Sequence, residues 1–154
     1  MRCIALVVAI PVLFGLTASL GWGQASSKLF DAVPIADRES LREAVSKSVS
    51  YQINRNWAAM YELYDNQKNK SLEQFVRDMK TRIKLVEFNP KAVAYIPPSD
   101  HWLIEGCAVF AYDIGDKGTV DAVISARHLP DGWRLSEVAI SPRKDGQECT
   151  SKRR

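Results

Sequence analysis

The chain has 154 residues, of which 46% are hydrophobic and 25% charged, a balance that suits one globular domain and argues against a disordered or collagenous chain. Its 21 Lys and Arg against 18 Asp and Glu are too small an excess to predict a nucleic-acid partner.

Met1-Arg2 precedes an uncharged apolar run from Cys3 to Leu20, followed by Gly21, Trp22, Gly23, Gln24 and Ala25. One positive charge, a long apolar stretch and small residues before a polar segment predict a secretory signal peptide over residues 1–25, cut after Gly23 or Ala25. The expected location is secreted or periplasmic. The alternative is an uncleaved anchor through residues 3–20, about the minimum length for crossing a bilayer, and only then is a membrane a partner. Without residues 1–25 the chain keeps 20 basic and 18 acidic groups, and residues 143–154 hold five of the former and two of the latter. The basic character therefore belongs to a tail. Cys3 leaves with the signal, so Cys107 and Cys149 remain, an even number in an exported chain. They make no zinc spacing with the chain's two His residues, and neither a metal nor a cofactor is expected.

Residues 26–39, containing Pro34, are expected to form an irregular linker to a domain over 40–142. Ser40-Leu41-Arg42-Glu43 is a capping-box pattern, and Leu41, Val45, Val49 and Ile53 then recur every four residues, predicting a helix over about 40–54. Trp57, Met60, Tyr61 and Tyr64 share one side of a short second helix. Ser71-Leu72-Glu73-Gln74 opens a third, with Leu72, Phe75, Val76, Met79 and Ile83 facing inward.

The period then changes. Leu85 to Phe88 and Lys91 to Ile96 are a strand pair or one interrupted strand, bounded by Asn89-Pro90 and Pro97-Pro98. His101 to Asp113, Thr119 to Leu129 and Trp133 to Ser141 are further strands, joined by Gly115-Asp116-Lys117-Gly118 and Pro130-Asp131-Gly132. Three helices followed by hairpin-linked strands predict an α+β domain with its helices on one face of an antiparallel sheet.

The combination Asn56-Trp57-x-x-Met60-Tyr61-x-Leu63-Tyr64, the Phe75 helix and the closing Asp131-Gly132-Trp133-Arg134-Leu135 hairpin resembles the nuclear transport factor 2-like superfamily over roughly residues 40–141. The resemblance implies three N-terminal helices in the concavity of a curved antiparallel sheet, a cone with a pocket between them. Members include ketosteroid isomerase, scytalone dehydratase, polyketide cyclases and domains without catalysis, so the fold alone does not choose the function.

Strand alternation places Trp102, Ile104, Ala108, Phe110 and Tyr112 on one face, with Val120, Ala122, Ile124, Ala126 and His128 beside them. This set is the more apolar and is assigned inward. Resemblance adds Trp133 and Leu135, which turns Glu137 toward the pocket. A ligand pocket would then be lined by Trp57, Tyr61, Tyr95, Phe110, Tyr112 and Glu137, unless these aromatics simply fill the core. Glu137 is the candidate acid or base, with Tyr112 or Tyr95 as hydroxyl donor in the manner of an isomerase, and His128 is a further candidate. Neither His128 nor His101 lies mid-strand, which argues against a His–Asp dyad.

The leading expectation is an exported, non-catalytic module binding a small apolar ligand or a protein partner. The alternatives are a small lyase or isomerase with an acid base in the pocket, and a structural or assembly domain with a filled pocket. On the opposite sheet face, Leu103, Val109, Val123, Val138 and Ile140 form an apolar patch suited to homodimerisation or to cover by the chain's own tail. Cys107 lies among them, and the eight residues from Ser141 to Cys149 span roughly 25 Å when extended, enough for a Cys107–Cys149 disulfide.

Overall fold

The computed structural model describes residues 27–65, 69–80, 83–112 and 115–142, with Ser27, Ile83 and residues 137–142 described by their backbone. Helices α1 (Ile35–Ile53), α2 (Trp57–Glu62) and α3 (Leu72–Met79) precede strands β1 (Ile83–Ile96), β2 (His101–Tyr112), β3 (Lys117–Leu129) and β4 (Gly132–Pro142). The strands form one curved antiparallel sheet in the order β1-β2-β3-β4, against which the helices pack, so the α+β architecture is as expected. Among the described residues no helix is long and apolar enough to cross a membrane, and residues 3–20 lie outside them.

The stretch 27–39 is structured rather than an irregular linker. A 3₁₀ turn over Ser27–Phe30 delivers Phe30 and Val33 into the core, where they are 0% and 1% exposed. Helix α1 then starts at Ile35, because Pro34 has its φ fixed near the helical range and its carbonyl takes the first bond, from the Asp37 amide at 2.9 Å. Ser40 is consequently inside the helix and caps nothing. Its hydroxyl donates to the Asp37 carbonyl at 2.9 Å and accepts from Trp133 Nε1 at 2.9 Å, tying α1 to β4.

The second capping box forms as expected: Ser71 Oγ accepts from the Gln74 amide at 3.2 Å while Gln74 Oε1 accepts from the Ser71 amide at 3.1 Å. Helix α3 ends at Met79, however, so Ile83 opens β1 instead of facing inward from the helix, and Leu72 is exposed.

Strand β1 is a single strand with irregularities at Leu85/Glu87 and Pro90/Ala92. Pro90 sits at the second, where a missing ladder donor is tolerated. Opposite it, Gly106 has to be glycine, because a Cβ there would meet the Asn89 carbonyl oxygen at 2.5 Å and the Phe88 ring at 2.7 Å. The Phe88 ring occupies that space. The inward set is as expected: Ile104, Ala108, Ala122, Ile124 and Ala126, from alternation, and Trp133 and Leu135, from the resemblance, are buried in one cluster with Phe30, Leu41, Val45 and Val49. A second cluster joins α2 to α3 through Met60, Tyr64 and Phe75.

The end of α2 docks on the β4 edge. Leu135 donates its amide to the Leu63 carbonyl at 2.7 Å and accepts from the Asp65 amide at 3.0 Å, making a parallel bridge at Tyr64.

Candidate functional site

The expected pocket residues fall into three groups. Trp57 and Tyr61 belong to the cluster between α2 and α3, where the Tyr61 ring lies 5.4 Å from Phe75 and its hydroxyl donates to the Lys70 carbonyl at 2.7 Å. Phe110 is half-buried and packs on the main core. Tyr95 and Tyr112 are each 42% exposed, and they sit at opposite ends of the sheet. Tyr95 pairs with Trp102 at the start of β2 and Tyr112 closes that strand. Ten residues of strand separate them, about 33 Å, so the two hydroxyls do not face one point. The Glu137 side chain lies outside the described residues, although its backbone is in β4.

Tyr95 donates its hydroxyl to Asp100 Oδ1 at 2.8 Å, and its ring stands 4.9 Å from Trp102. That hydrogen bond, with some desolvation and the nearby negative charge behind it, holds the Tyr95 phenol above the usual 10.0. The hydroxyl is thus a poorer acid than a free tyrosine and is already committed to a carboxylate.

Each histidine has an aspartate neighbour that sequence reasoning missed. His128 Nδ1 is 3.6 Å from Asp37 Oδ1 at the start of α1, and its ring stacks on Trp133 with centroids 4.6 Å apart. His101 Nε2 is 3.8 Å from Asp65 Oδ2, while its Nδ1 meets the Ser99 carbonyl oxygen. A working dyad directs one ring nitrogen to the carboxylate at hydrogen-bond distance and leaves the other free for substrate. Both separations exceed that distance. At His101 the second nitrogen is spent on a backbone carbonyl.

Asp65 ties the end of α2 to β2, β3 and β4. Its Oδ1 accepts from Arg127 at 2.7 Å, its side chain is only 16% exposed, and its amide is fixed by Leu135. Arg127 and Arg134 are opposite each other on the outer face of β3 and β4, and Arg134 also pairs with Asp131 in the hairpin. The cue in the sequence is slight: Asp65 directly follows the aromatic run Tyr61-x-Leu63-Tyr64. Among the described residues no group of three or more His, Cys, Asp or Glu is placed to hold a metal ion.

No protein-family model and no curated protein sequence matches the chain. Solved structures do. Bd1075 from Bdellovibrio bacteriovorus is 14% identical with a TM-score of 0.55 over 71% of this chain, which spans only 42% of that protein. A candidate dehydratase of the nuclear transport factor 2-like family from Streptomyces avermitilis is 15% identical, with a TM-score of 0.51, over 71% of this chain and 99% of its own. A candidate calcium/calmodulin-dependent kinase II association domain from Exiguobacterium sibiricum is 16% identical, with a TM-score of 0.52, over 72% of this chain and 96% of its own. At these identities the likeness shows the fold, which is nuclear transport factor 2-like.

Proposed function

We propose that the chain is an exported, non-catalytic module that binds a protein partner. The observation that supports this reading over a ligand carrier is the packed core of the described residues: Phe30, wholly buried, lies in one cluster with Leu41, Val45, Trp133, Ile104 and Ile124, an arrangement that also suits the assembly alternative. The aromatics that would have lined a pocket are dispersed over two clusters and two sheet ends. Native mass spectrometry of the chain as its host produces it tests the reading. The expected mass is polypeptide with a protein partner and no small molecule. A retained apolar small molecule would instead restore the ligand-carrier expectation.

The lyase or isomerase alternative draws on the shared fold of the candidate dehydratase and needs Glu137 as base. Substituting Glu137→Gln would then abolish turnover, whereas the binding-module reading expects no turnover to lose.

Export is part of the proposal. A signal over residues 1–25 predicts a mature start near Gln24 or Ser26, to be found by N-terminal sequencing of the secreted or periplasmic protein. Intact Met1 in a membrane fraction would mean an anchor. In an oxidising compartment we expect Cys107 and Cys149 to form a disulfide, passing two electrons and two protons to the disulfide of an oxidoreductase. Cys107 is 0% exposed although alternation puts it on the outer face, between Asn89 and Asp121. Ser141 pairs with Asp121, which pairs with Cys107, so the end of β4 lies only two strands, about 10 Å, from that sulfur. Cys149 itself lies outside the described residues. Drawn back to Cys107, the tail would cover Leu103, Val109 and Val123, the half-buried apolar residues of the face otherwise suited to a homodimer. Thiol titration of the denatured, unreduced protein should find no free thiol in the mature chain, and two would end the proposal.

A further inference from the structure

The sheet has two edges, and they are treated differently. The β4 edge is engaged at Leu135 by Leu63 and Asp65. Among the described residues strand β1 is the open edge, and its first part carries the usual deterrents to strand addition: exposed Lys84, Glu87 and Lys91, two irregularities and Pro90. Beyond Lys91 the deterrents stop. Ala92-Val93-Ala94-Tyr95-Ile96 has no charge and no proline, and it runs in unbroken register against Glu105 to His101. Four of the five are exposed, Tyr95 at 42% and Ile96 at 36%, and the two alanines leave the backbone edge open to an approaching strand.

We propose that this segment is a pairing edge for a second copy of the chain, the two β1 strands joining antiparallel about Ala94 into one continuous eight-stranded sheet. The occupant follows from self-complementarity. A two-fold axis through Ala94 sets Val93 opposite Tyr95 on the inner face and Ala92 opposite Ile96 on the outer, a small residue against a large one each time. The first is a β-branched–aromatic pair of the kind that stabilises antiparallel strands. At each end Lys91, in the irregularity, falls opposite Pro97, where the strand gives way to the turn, so the pairing is confined to Ala92–Ile96. Neighbouring registers lose this match. Centring on Val93 puts Lys91 against Tyr95, and centring on Tyr95 runs the pairing into the Pro97–Ser99 turn.

This deepens the binding-module reading by naming its partner, and the two fail separately: a monomer that retains a different protein partner removes only the edge pairing. Sedimentation equilibrium of the chain as its host produces it should show a dimer. Ala94→Lys sets two like charges face to face on the axis and should weaken that dimer at least about tenfold, with the circular-dichroism melting midpoint unchanged at concentrations low enough for both chains to be monomeric, because Ala94 is exposed. Val109→Lys, on the outer sheet face, should leave the dimer intact. Ala94→Cys gives an independent reading, since side chains on the axis stand about 5 Å apart and a short thiol cross-linker should then yield a covalent dimer that the parent chain does not form. A monomer at every concentration, a dimer that survives Ala94→Lys, a dimer lost with Val109→Lys, or no cross-link at Ala94→Cys would each overturn the proposal.

Discussion

Strands β1 and β2 pass through two environments. From Leu85 to Val93, β1 lies against the core, and its partners Ala108 and Ile104 are 1% and 0% exposed beneath α1 and Phe30. Two residues further on, Tyr95 and Trp102 continue the same ladder with the same inward parity, yet Tyr95 is 42% exposed. The strand has not changed; its cover has run out. Packing energy in this molecule is therefore concentrated where the N-terminal turn and α1 reach, and the hairpin end beyond them is held by its ladder, by the half-buried Trp102 against the Tyr95 ring and by the Tyr95–Asp100 contact.

That contrast predicts unequal costs for similar substitutions. Phe30→Ala removes a wholly buried ring from the middle of the core and should lower unfolding stability by about 3–5 kcal/mol, measured by denaturant titration. Tyr95→Ala, an aromatic truncation of comparable size at the exposed end, should cost less than about 1 kcal/mol. Equal losses would mean that the hairpin end is packed as tightly as the centre. Gly106→Ala is the next largest. Its added methyl would meet backbone oxygen at 2.5 Å, which a side-chain rotation cannot relieve, and about 1–3 kcal/mol should be lost. Gly118→Ala should be milder, because the neighbour there is the exposed Tyr112 ring at 3.2 Å.

Asp65 tests the opposite border of the core. Arg127 Nε is buried without a hydrogen bond, so the guanidinium depends on its 2.7 Å contact with Asp65. Asp65→Asn keeps the size and the backbone bond to Leu135 while removing the charge. Arg127 is 37% exposed, so solvent screens the pair and the expected loss is about 1 kcal/mol, shrinking as salt is added. A loss that salt does not reduce would point to packing rather than charge.

How much of this could be read in advance depended on whether the signal was local. The Ser71 cap, the Gly132 turn and the inward parity of Ile104, Ala122 and Ile124 are set by residues within a few positions of one another, and all were legible, whereas the parity of Leu135 was ambiguous by alternation and came from the resemblance. Phe30 and Val33 were not, because a short polar stretch with one proline looks like a linker unless one knows that a concave sheet lies opposite. The dispersal of Tyr95 and Tyr112 was hidden for a related reason: alternation reports which face a residue shares, not how far along the strand it sits. The Asp65 and Asp37 pairings depend on contacts across 62 and 91 residues, Asp65 with Arg127 and Asp37 with His128, and no periodicity encodes them.

The smallest predicted effect is a titration rather than a stability loss. Tyr95 is neutral when it donates to Asp100, and the carboxylate, with lesser help from desolvation and charge, raises its pKa above 10.0 in the folded chain. The contact therefore contributes fully below the unfolded tyrosine pKa and is lost as pH rises through the higher folded value. Followed by tyrosinate absorbance, with the Tyr95→Phe variant subtracted to remove the other tyrosines, the Tyr95 midpoint should lie above that of a free tyrosine. Asp100 has a positive φ of 53°, which asparagine tolerates at least as well as aspartate, so Asp100→Asn preserves the turn and an acceptor oxygen while removing the charge. The midpoint should then fall part of the way back toward 10.0, with at most a small drop in melting temperature below that pH. An unchanged midpoint in Asp100→Asn would mean that the hydroxyl and carboxylate do not meet in solution, and the hairpin end would be held by its ladder and the Tyr95–Trp102 ring contact.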